Sequence, residues 1–356
     1  MIITVNYVVR NGGQYVRFFL DSLKKQTFKD FEVHVWDNNS DDDTREIIKN
    51  EYPEFKLHES KENIGVWAAF EKLVHLEAKL PSEDVLGSLA SKYVICMTDV
   101  ILKEDFIEKA IAVMEKEPQA GALQAKIYQM ELYNHGTWNM EHGTKIIDTL
   151  GFKIFRSRKI INLGQGEEDK GQYNNLKEVF AVEGAVPIFR REALESCRIN
   201  GWLIDPDYRS GPLGYGDDLD LAWRMRLFGW KHVLSHEVVA YHDRSTTKDT
   251  SSGAISYLKR VKERRKIDIQ KRRLDWRNTR FTIIKNDYII NILRDLPRII
   301  SREIAVFGYT LMFEPQVLRE IGNFIKYLPR MIKRRGQIMK KAKASPKEMR
   351  QWITSK

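Results

Sequence analysis

The first 117 residues alternate between two hydrophobic periods, and that alternation constrains the fold more than any other feature of the chain. IITVNYVV is a continuous apolar run rich in β-branched residues, the pattern of a strand covered on both faces. Gln14–Lys25 follows with Val16, Phe19, Leu20 and Leu23 at helical spacing, and FEVHVWDNNS is a second strand that ends in a polar turn. Asp43–Asn50 reads as a helix and FKLHES as a short strand. A helix from Val66 to about Leu80, a buried strand KYVICM ending at Asp99, and a helix over Glu104–Glu117 complete the series. This βαβαβαβ order predicts an α/β fold with a mostly parallel sheet flanked by helices. Ligands of such sheets bind beyond the carboxyl ends of the strands, where Asn6, Asp37 to Ser40 and Asp99 lie in this sequence.

Charge divides the chain in two. Residues 255–356 hold 27 Lys and Arg against 9 Asp and Glu, a net +18, which leaves −8 on the first 254 residues. The basic part interleaves its cations with apolar residues, as in YIINILRDLPRIISREIAVFGYTLMF and FIKYLPRMIKRRGQIMKKAK. We therefore expect an α/β body over residues 1–250 and a basic amphipathic helical tail over 251–356 that docks on an anionic membrane surface. A helical subdomain packed on the body is the alternative. A nucleic-acid partner is not expected, because the acidic body would repel phosphate and the tail has no zinc or basic-zipper pattern. The longest apolar-leaning run, Ile304–Phe313, is far shorter than the roughly 20 residues of a spanning helix. Met1 leads straight into a strand, so no signal peptide is expected. Cys96 and Cys197 are far apart and lack metal-ligand spacing, as small core residues of a reduced, cytoplasmic protein would. The expected location is the cytoplasm, peripheral on the inner face of the cell membrane.

The first strand runs into VVRNGGQY, which contains neither G-x-G-x-x-G nor G-x-x-x-x-G-K-[ST]. A diphosphate would need another means of attachment, and a carboxylate-held divalent cation is the usual one, with Asp99 at the end of a buried strand placed to supply a ligand. An isolated strand-end aspartate is also a common turn former. GYGDDLDLAWRMRLFGW sets Asp217 and Asp218 side by side at the start of a helical run. Such a pair can serve as first-turn capping groups or as working carboxylates, and the pattern alone leaves both open.

Five segments in order carry a resemblance. VNYVVRNGGQYVRFFLDSLKKQTFKDFEVHVWDNNSDD, ENIG, CMTDVILKEDFI, VEGAVPIFRREAL and GYGDDLDLAWRMRLFGWKHVLSHEVVAYHDRS, together spanning most of residues 1–246, resemble the family 2 glycosyltransferases of the GT-A fold, and more narrowly their rhamnosyltransferase-like branch. The basic stretch RNTRFTIIKN followed by DLPRIISREI is similar to the helical extension of that branch. The resemblance implies an inverting transferase that moves a sugar from a nucleotide-diphosphate sugar, dTDP-rhamnose by branch, to a saccharide acceptor that is lipid-linked. It implies that Asn6, Tyr7, Asp37 and Asn38 surround the base, that Asn63 and Gly65 lie on the ribose and diphosphate side, and that Glu183, Gly184 and Ala185 lie below the donor sugar and acceptor. Asp99 and His242 match the metal positions, for Mg²⁺ or Mn²⁺, and Asp217 and Asp218 match the acidic pair whose second member is the catalytic base.

The chemistry needs these residue types. As an acceptor hydroxyl attacks the anomeric carbon, a carboxylate must take its proton, while the departing diphosphate gains charge that a cation stabilises. One departure stands out: Met97 occupies the position where the family has an Asn or Asp two residues before the metal aspartate, and a thioether is a poor ligand for a hard cation. A catalytically degenerate nucleotide-sugar-binding protein and a nucleotidyltransferase are therefore the rival readings. A histidine at 242 can equally be structural, and Trp202 and Tyr215 can be sugar platforms or core. His135 and His142 fall in a stretch, residues 129–146, that reads as a variable insertion.

Overall fold

In a computed structural model the described residues are 3–78, 91–130, 144–243, 261 and 264–355. Positions 135 and 142 lie outside them, as does the expected boundary near residue 250. The strands are β1 (Ile3–Val9), β2 (Phe31–Asp37), β3 (Lys56–Glu59), β4 (Tyr93–Met97), β5 (Val100–Leu102), β6 (Ala120–Gln129), β7 (Ile147–Thr149), β8 (Phe152–Phe155), β9 (Ile160–Asn162), β10 (Ile188–Arg190), β11 (Arg209–Ser210), β12 (Leu213–Gly214), β13 (Lys231–His242) and β14 (Ile353–Thr354). The helices are α1 (Val16–Lys24), α2 (Thr44–Glu51), α3 (Val66–Ala78), α4 (Phe106–Lys116), α5 (Arg191–Ser196), α6 (Asp217–Leu227), α7 (Ile269–Asn286), α8 (Ile289–Phe313), α9 (Glu320–Lys341) and α10 (Pro346–Gln351). The helices and strands expected in the first 117 residues all form, with ends shifted by up to two residues where caps decide them.

The main sheet runs β3-β2-β1-β4-β10-β6-β13-β5, with β7 paired to β6. The first four strands of that order are parallel, as βαβ crossovers require, and β10 enters antiparallel between β4 and β6. Side chains alternate across it. Ile3, Val5, Tyr7 and Val9 of β1 pack with Val16, Phe19, Leu20 and Leu23 of α1, while Val94 and Cys96 of β4 face Phe70, Val74 and Trp223 on the other side. Both cysteines are fully buried in that second layer, and burial pushes the Cys197 thiol up to about 11, so neither is a nucleophile at neutral pH.

The basic helices do not hang off this body. β14 pairs in parallel with β8, Ile353 opposite Ile154, and returns the chain to a three-stranded sheet with β9. Helix α7 buries Leu274, Phe281 and Thr282. Ion pairs between the body and these helices are internal: Lys285 meets Asp205 at 2.6 Å and Asp220 at 3.0 Å, and Arg158 meets Asp287 at 2.7 Å and Asp295 at 2.8 Å, all six at most 1% exposed. Among the described residues no helix is long and apolar enough to cross a membrane.

Candidate active site

The expected site residues gather where the polar turns leave the carboxyl ends of β2, β3 and β4. Asp37 closes β2 opposite Val9 and Glu59, fully buried. Its Oδ2 accepts from the Ser40 amide at 3.2 Å and meets Arg45 at 3.0 Å, whereas Oδ1 is buried and accepts no hydrogen bond among the described residues. A buried acceptor left open costs about 1–3 kcal/mol, so its retention calls for a ligand donor. Asn38 accepts from the Ile64 amide at 2.9 Å and thereby fixes the following loop, in which Asn63 accepts from the Gly65 amide at 3.0 Å. Gly65 has φ +81°, and a Cβ there would stand 2.6 Å from the Pro212 carbonyl oxygen. Only glycine lets this loop meet the β11–β12 hairpin, and Arg209 of that hairpin donates to the Ile64 carbonyl at 3.0 Å.

Asn6 and Tyr7 are placed differently from the other expected base contacts. They lie inside β1, paired with His34 and Val35, and the Tyr7 ring stacks edge-on against Phe19 in the core, 1% exposed. The side chains at the carboxyl end of β1 are instead Arg10 and Asn11, the latter at φ +51° and accepting from the Asp41 amide at 2.9 Å.

Sheet register brings two distant residues together. Antiparallel pairing of β5 with β13 sets His242 opposite Val100, beside Asp99 in the β4–β5 turn. Asp99 Oδ1 lies 3.2 Å from His242 Nε2 and accepts from Thr98 Oγ1 at 2.6 Å, while His242 Nδ1 donates to the fully buried Asp148 at 2.9 Å. Burial lowers the imidazole's affinity for protons, but the two carboxylates outweigh it and hold its pKa up at about 10. Burial likewise raises Asp99, and the hydrogen bond from His242 outweighs that and holds it down at about 2. Met97 points into the core beside Tyr7, away from this group. Among the described residues no cluster of three or more His, Cys, Asp and Glu side chains could hold a metal ion. Asp148 was not visible in the sequence; its only signal was a lone acid inside the apolar run KIIDTLG.

The acidic pair opens α6 after Gly216, whose φ of +78° turns the chain into the helix. Asp218 accepts from the Leu219 amide at 2.8 Å and lies against Gly184, where a Cβ would approach its Oδ2 to 3.0 Å and Trp67 to 3.1 Å. Burial, and then the charge of Glu183, push its pKa up to about 7. Glu183 accepts from the Ala185 amide at 2.9 Å, which folds the Glu183–Ala185 segment beneath Asp218. Asp217 is 2% exposed and neither of its oxygens is hydrogen-bonded among the described residues; burial, then Asp218, push it up to about 8. Trp202, by contrast, belongs to the tail interface: the cations of Arg224, Lys285 and Arg334 lie over its ring at 5.0–5.7 Å.

A mainly parallel sheet with helices on its faces, an acidic helix start and an aspartate in the turn after β4 define a protein of the GT-A fold class. The sequence profile of glycosyl transferase family 2 matches residues 2–196, and the chain belongs to that family. Among solved structures, S. aureus TarS 1-349 in complex with UDP-GlcNAc is similar over 100% of this chain and 93% of its own, at TM-score 0.53 and 15% identity. S. aureus TarS is similar over 93% of this chain, at TM-score 0.53 and 14% identity, and this chain spans only 50% of it. GalNAc-T7 with UDP, GalNAc and Mn²⁺ is similar over 74% of this chain and 48% of its own, at TM-score 0.50 and 13% identity. At such identities the likeness is one of fold. No curated protein matches the chain significantly.

Proposed function

We propose that the protein is an inverting glycosyltransferase that moves a sugar from a nucleotide-diphosphate sugar to a hydroxyl of a saccharide acceptor. The observation that carries this reading is Asp218: a carboxylate at a helix start, packed against a glycine, with a pKa near 7. A base poised near the working pH takes the acceptor proton as the hydroxyl attacks, and a carboxylate at its ordinary pKa does so less well. The open Oδ1 of Asp37 suits a base N–H, and the Asn63–Gly65 loop suits the ribose and diphosphate. Glu183 to Ala185 would line the floor beneath the transferred sugar. Its negative charge also keeps Asp218 from acidifying.

Two of the residues present, Asp99 and His242, are donors that Mg²⁺ or Mn²⁺ could use, fewer than a complete protein site. Asp99 and His242 offer an oxygen and a nitrogen 3.2 Å apart, and Asp148 on the far ring nitrogen fixes the tautomer and orientation, the support that metal-binding histidines usually have. Two protein donors leave the remaining positions to water and diphosphate oxygens, as is common for Mg²⁺. When bound, the cation would neutralise charge developing on the leaving diphosphate. Asp99 would supply the anionic donor and His242 would give up its Nε2 proton.

The donor favoured by branch resemblance is dTDP-rhamnose, the acceptor a lipid-linked saccharide, and the basic C-terminal helices would hold the enzyme on the inner membrane face. The test is nucleoside-diphosphate release across a panel of sugar nucleotides, with and without Mg²⁺ or Mn²⁺. Donor-dependent release that Asp218→Asn abolishes is expected. Donor binding without turnover would identify a degenerate nucleotide-sugar binder, and synthesis of a sugar nucleotide from nucleoside triphosphate would identify a nucleotidyltransferase.

A further inference from the structure

Helix α8 is inside out for a helix packed on a water-soluble body. Its buried positions are Asn291, Asp295 and Thr310, whereas Leu293, Leu296, Ile300, Ile304, Phe307 and Leu311 are each 38–67% exposed. At 100° per residue these six fall on one stripe about 80° wide, and from 293 to 311 it runs roughly 27 Å. A surface helix normally turns such a stripe to the core, and a contiguous exposed one marks a docking surface.

About a third of a turn round the same helix lies a cavity of about 690 Å³, shared with the β8–β9 hairpin and with none of the candidate site residues. Arg156, Ser157, Lys159, Arg298, Ser301 and Arg302 line it, and no acid does. Arg302 is partnered by Glu303 at 2.5 Å. Arg156 Nε is buried without a hydrogen-bond partner, and neither Arg156 nor Arg298 forms an ion pair among the described residues. Four cations and three hydroxyls, the third from Ser355, around one opening beside an apolar stripe match a phosphoryl headgroup whose acyl chains continue along the stripe.

We propose that this cavity is a binding site for the phosphoryl headgroup of an anionic bilayer phospholipid, and that α8 lies in the membrane interface with its Leu293–Leu311 stripe toward the acyl chains. The inference rests on the docking half of the function proposed above and is independent of the glycosyl-transfer chemistry. It replaces a diffuse basic tail with one cavity and one stripe. Charge complementarity and the inverted helix commit the surface to lipid, since a soluble protein partner would not need unpaired cations beside apolar residues.

The test uses the full chain and vesicles of phosphatidylcholine with or without phosphatidylglycerol. The wild type is expected to float with the anionic vesicles, to release with rising salt, and to ignore pure phosphatidylcholine. Each Arg near an anionic surface is worth about 1 kcal/mol, so Arg156→Gln with Arg298→Gln should weaken partitioning about 30-fold. Lys25→Gln with Lys61→Gln, which removes equal charge from the exposed body, should change it less than threefold. Ile300→Ser with Ile304→Ser should abolish flotation while the circular dichroism spectrum is kept. Equal loss from both charge pairs would overturn the cavity, as would binding of inorganic phosphate without flotation. A concentration-dependent dimer that the serine pair disrupts, with no flotation, would assign the stripe to a second copy of this chain and overturn the lipid reading. Nucleoside-diphosphate release from the donor in solution, followed on the same variants, should be unchanged, and its absence in every protein would count against the transferase reading alone.

Discussion

Asp218 is held by the Leu219 amide in the first turn of α6 and by the absence of a side chain at Gly184, so replacing it with Asn changes one atom's chemistry and little packing. Asp218→Asn should lower kcat roughly 100- to 10,000-fold with donor affinity nearly unchanged, measured by steady-state kinetics and donor titration. Asp217→Asn should be the milder change; the reverse ranking would exchange their roles. The rate should also follow protonation. With a pKa near 7 the base is protonated below neutrality, so kcat/KM should fall about tenfold per pH unit under pH 6 and level off above pH 8. Stability should move the other way. Asp217 and Asp218 hold protons in the folded state up to about 8 and 7, against a usual 3.8, so between pH 4 and 8 the folded chain binds more protons than the unfolded one. Stability therefore declines as pH rises through that window, and Asp217→Asn should flatten the fall in Tm between pH 5 and 8. Strand-end acids were readable because each sits at a change of hydrophobic period. Tyr7 was misleading for the same reason: the alternation of β1 already put it on the face of Val5 and Val9, inside the strand. Asp148 and Arg209 gave no such sign, since their partners are 94 residues away in the first case and a loop carbonyl in the second.

At the scale of elements, α6 is gripped from behind by α7. Asp220, in the same first turn as the acidic pair, accepts from Asn286 at 2.8 Å and meets Lys285 at 3.0 Å, while Asn278 donates to the Tyr215 carbonyl at 2.8 Å just before the helix begins. The tail thus anchors the helix that carries Asp218. Lys285→Met keeps the length of the stem but removes the cation shared by Asp205 and Asp220, leaving Asp205 to Arg334 and Asp220 to Arg224, and should destabilise the protein by about 1–3 kcal/mol in urea unfolding. Activity of the folded fraction should also drop, because α6 loses its anchor. An unchanged midpoint would separate α7 from the body energetically. Helices were legible in the basic sequence through their periodicity, but their docking was not. A Lys or Arg facing a distant Asp looks in sequence like any solvated charge, and only the fold makes it internal.

For the whole molecule, the question is whether the body can exist without its basic end. Two connections bear on it. Arg158, fully buried in the β8–β9 hairpin, has both its carboxylate partners, Asp287 and Asp295, beyond residue 250, and Arg350 shares Asp295 at 3.0 Å. β14 completes the sheet that holds the same hairpin. Ending the chain near Thr250 would leave an unpaired guanidinium inside, expose the edge of β8, and uncover the faces of Trp223 and Leu221 that the last helices close off with Ile338 and Met349. The expected outcome is a truncated protein that is insoluble or expanded, and a full chain that unfolds in one transition with tryptophan fluorescence and far-ultraviolet circular dichroism coincident. Two separate transitions, or a truncated protein with a native spectrum and donor binding, would contradict this. If the single transition is found, charge asymmetry along the sequence marks a surface of one folded body: the end that meets the lipid and the helix that positions Asp218 are then parts of the same cooperative unit.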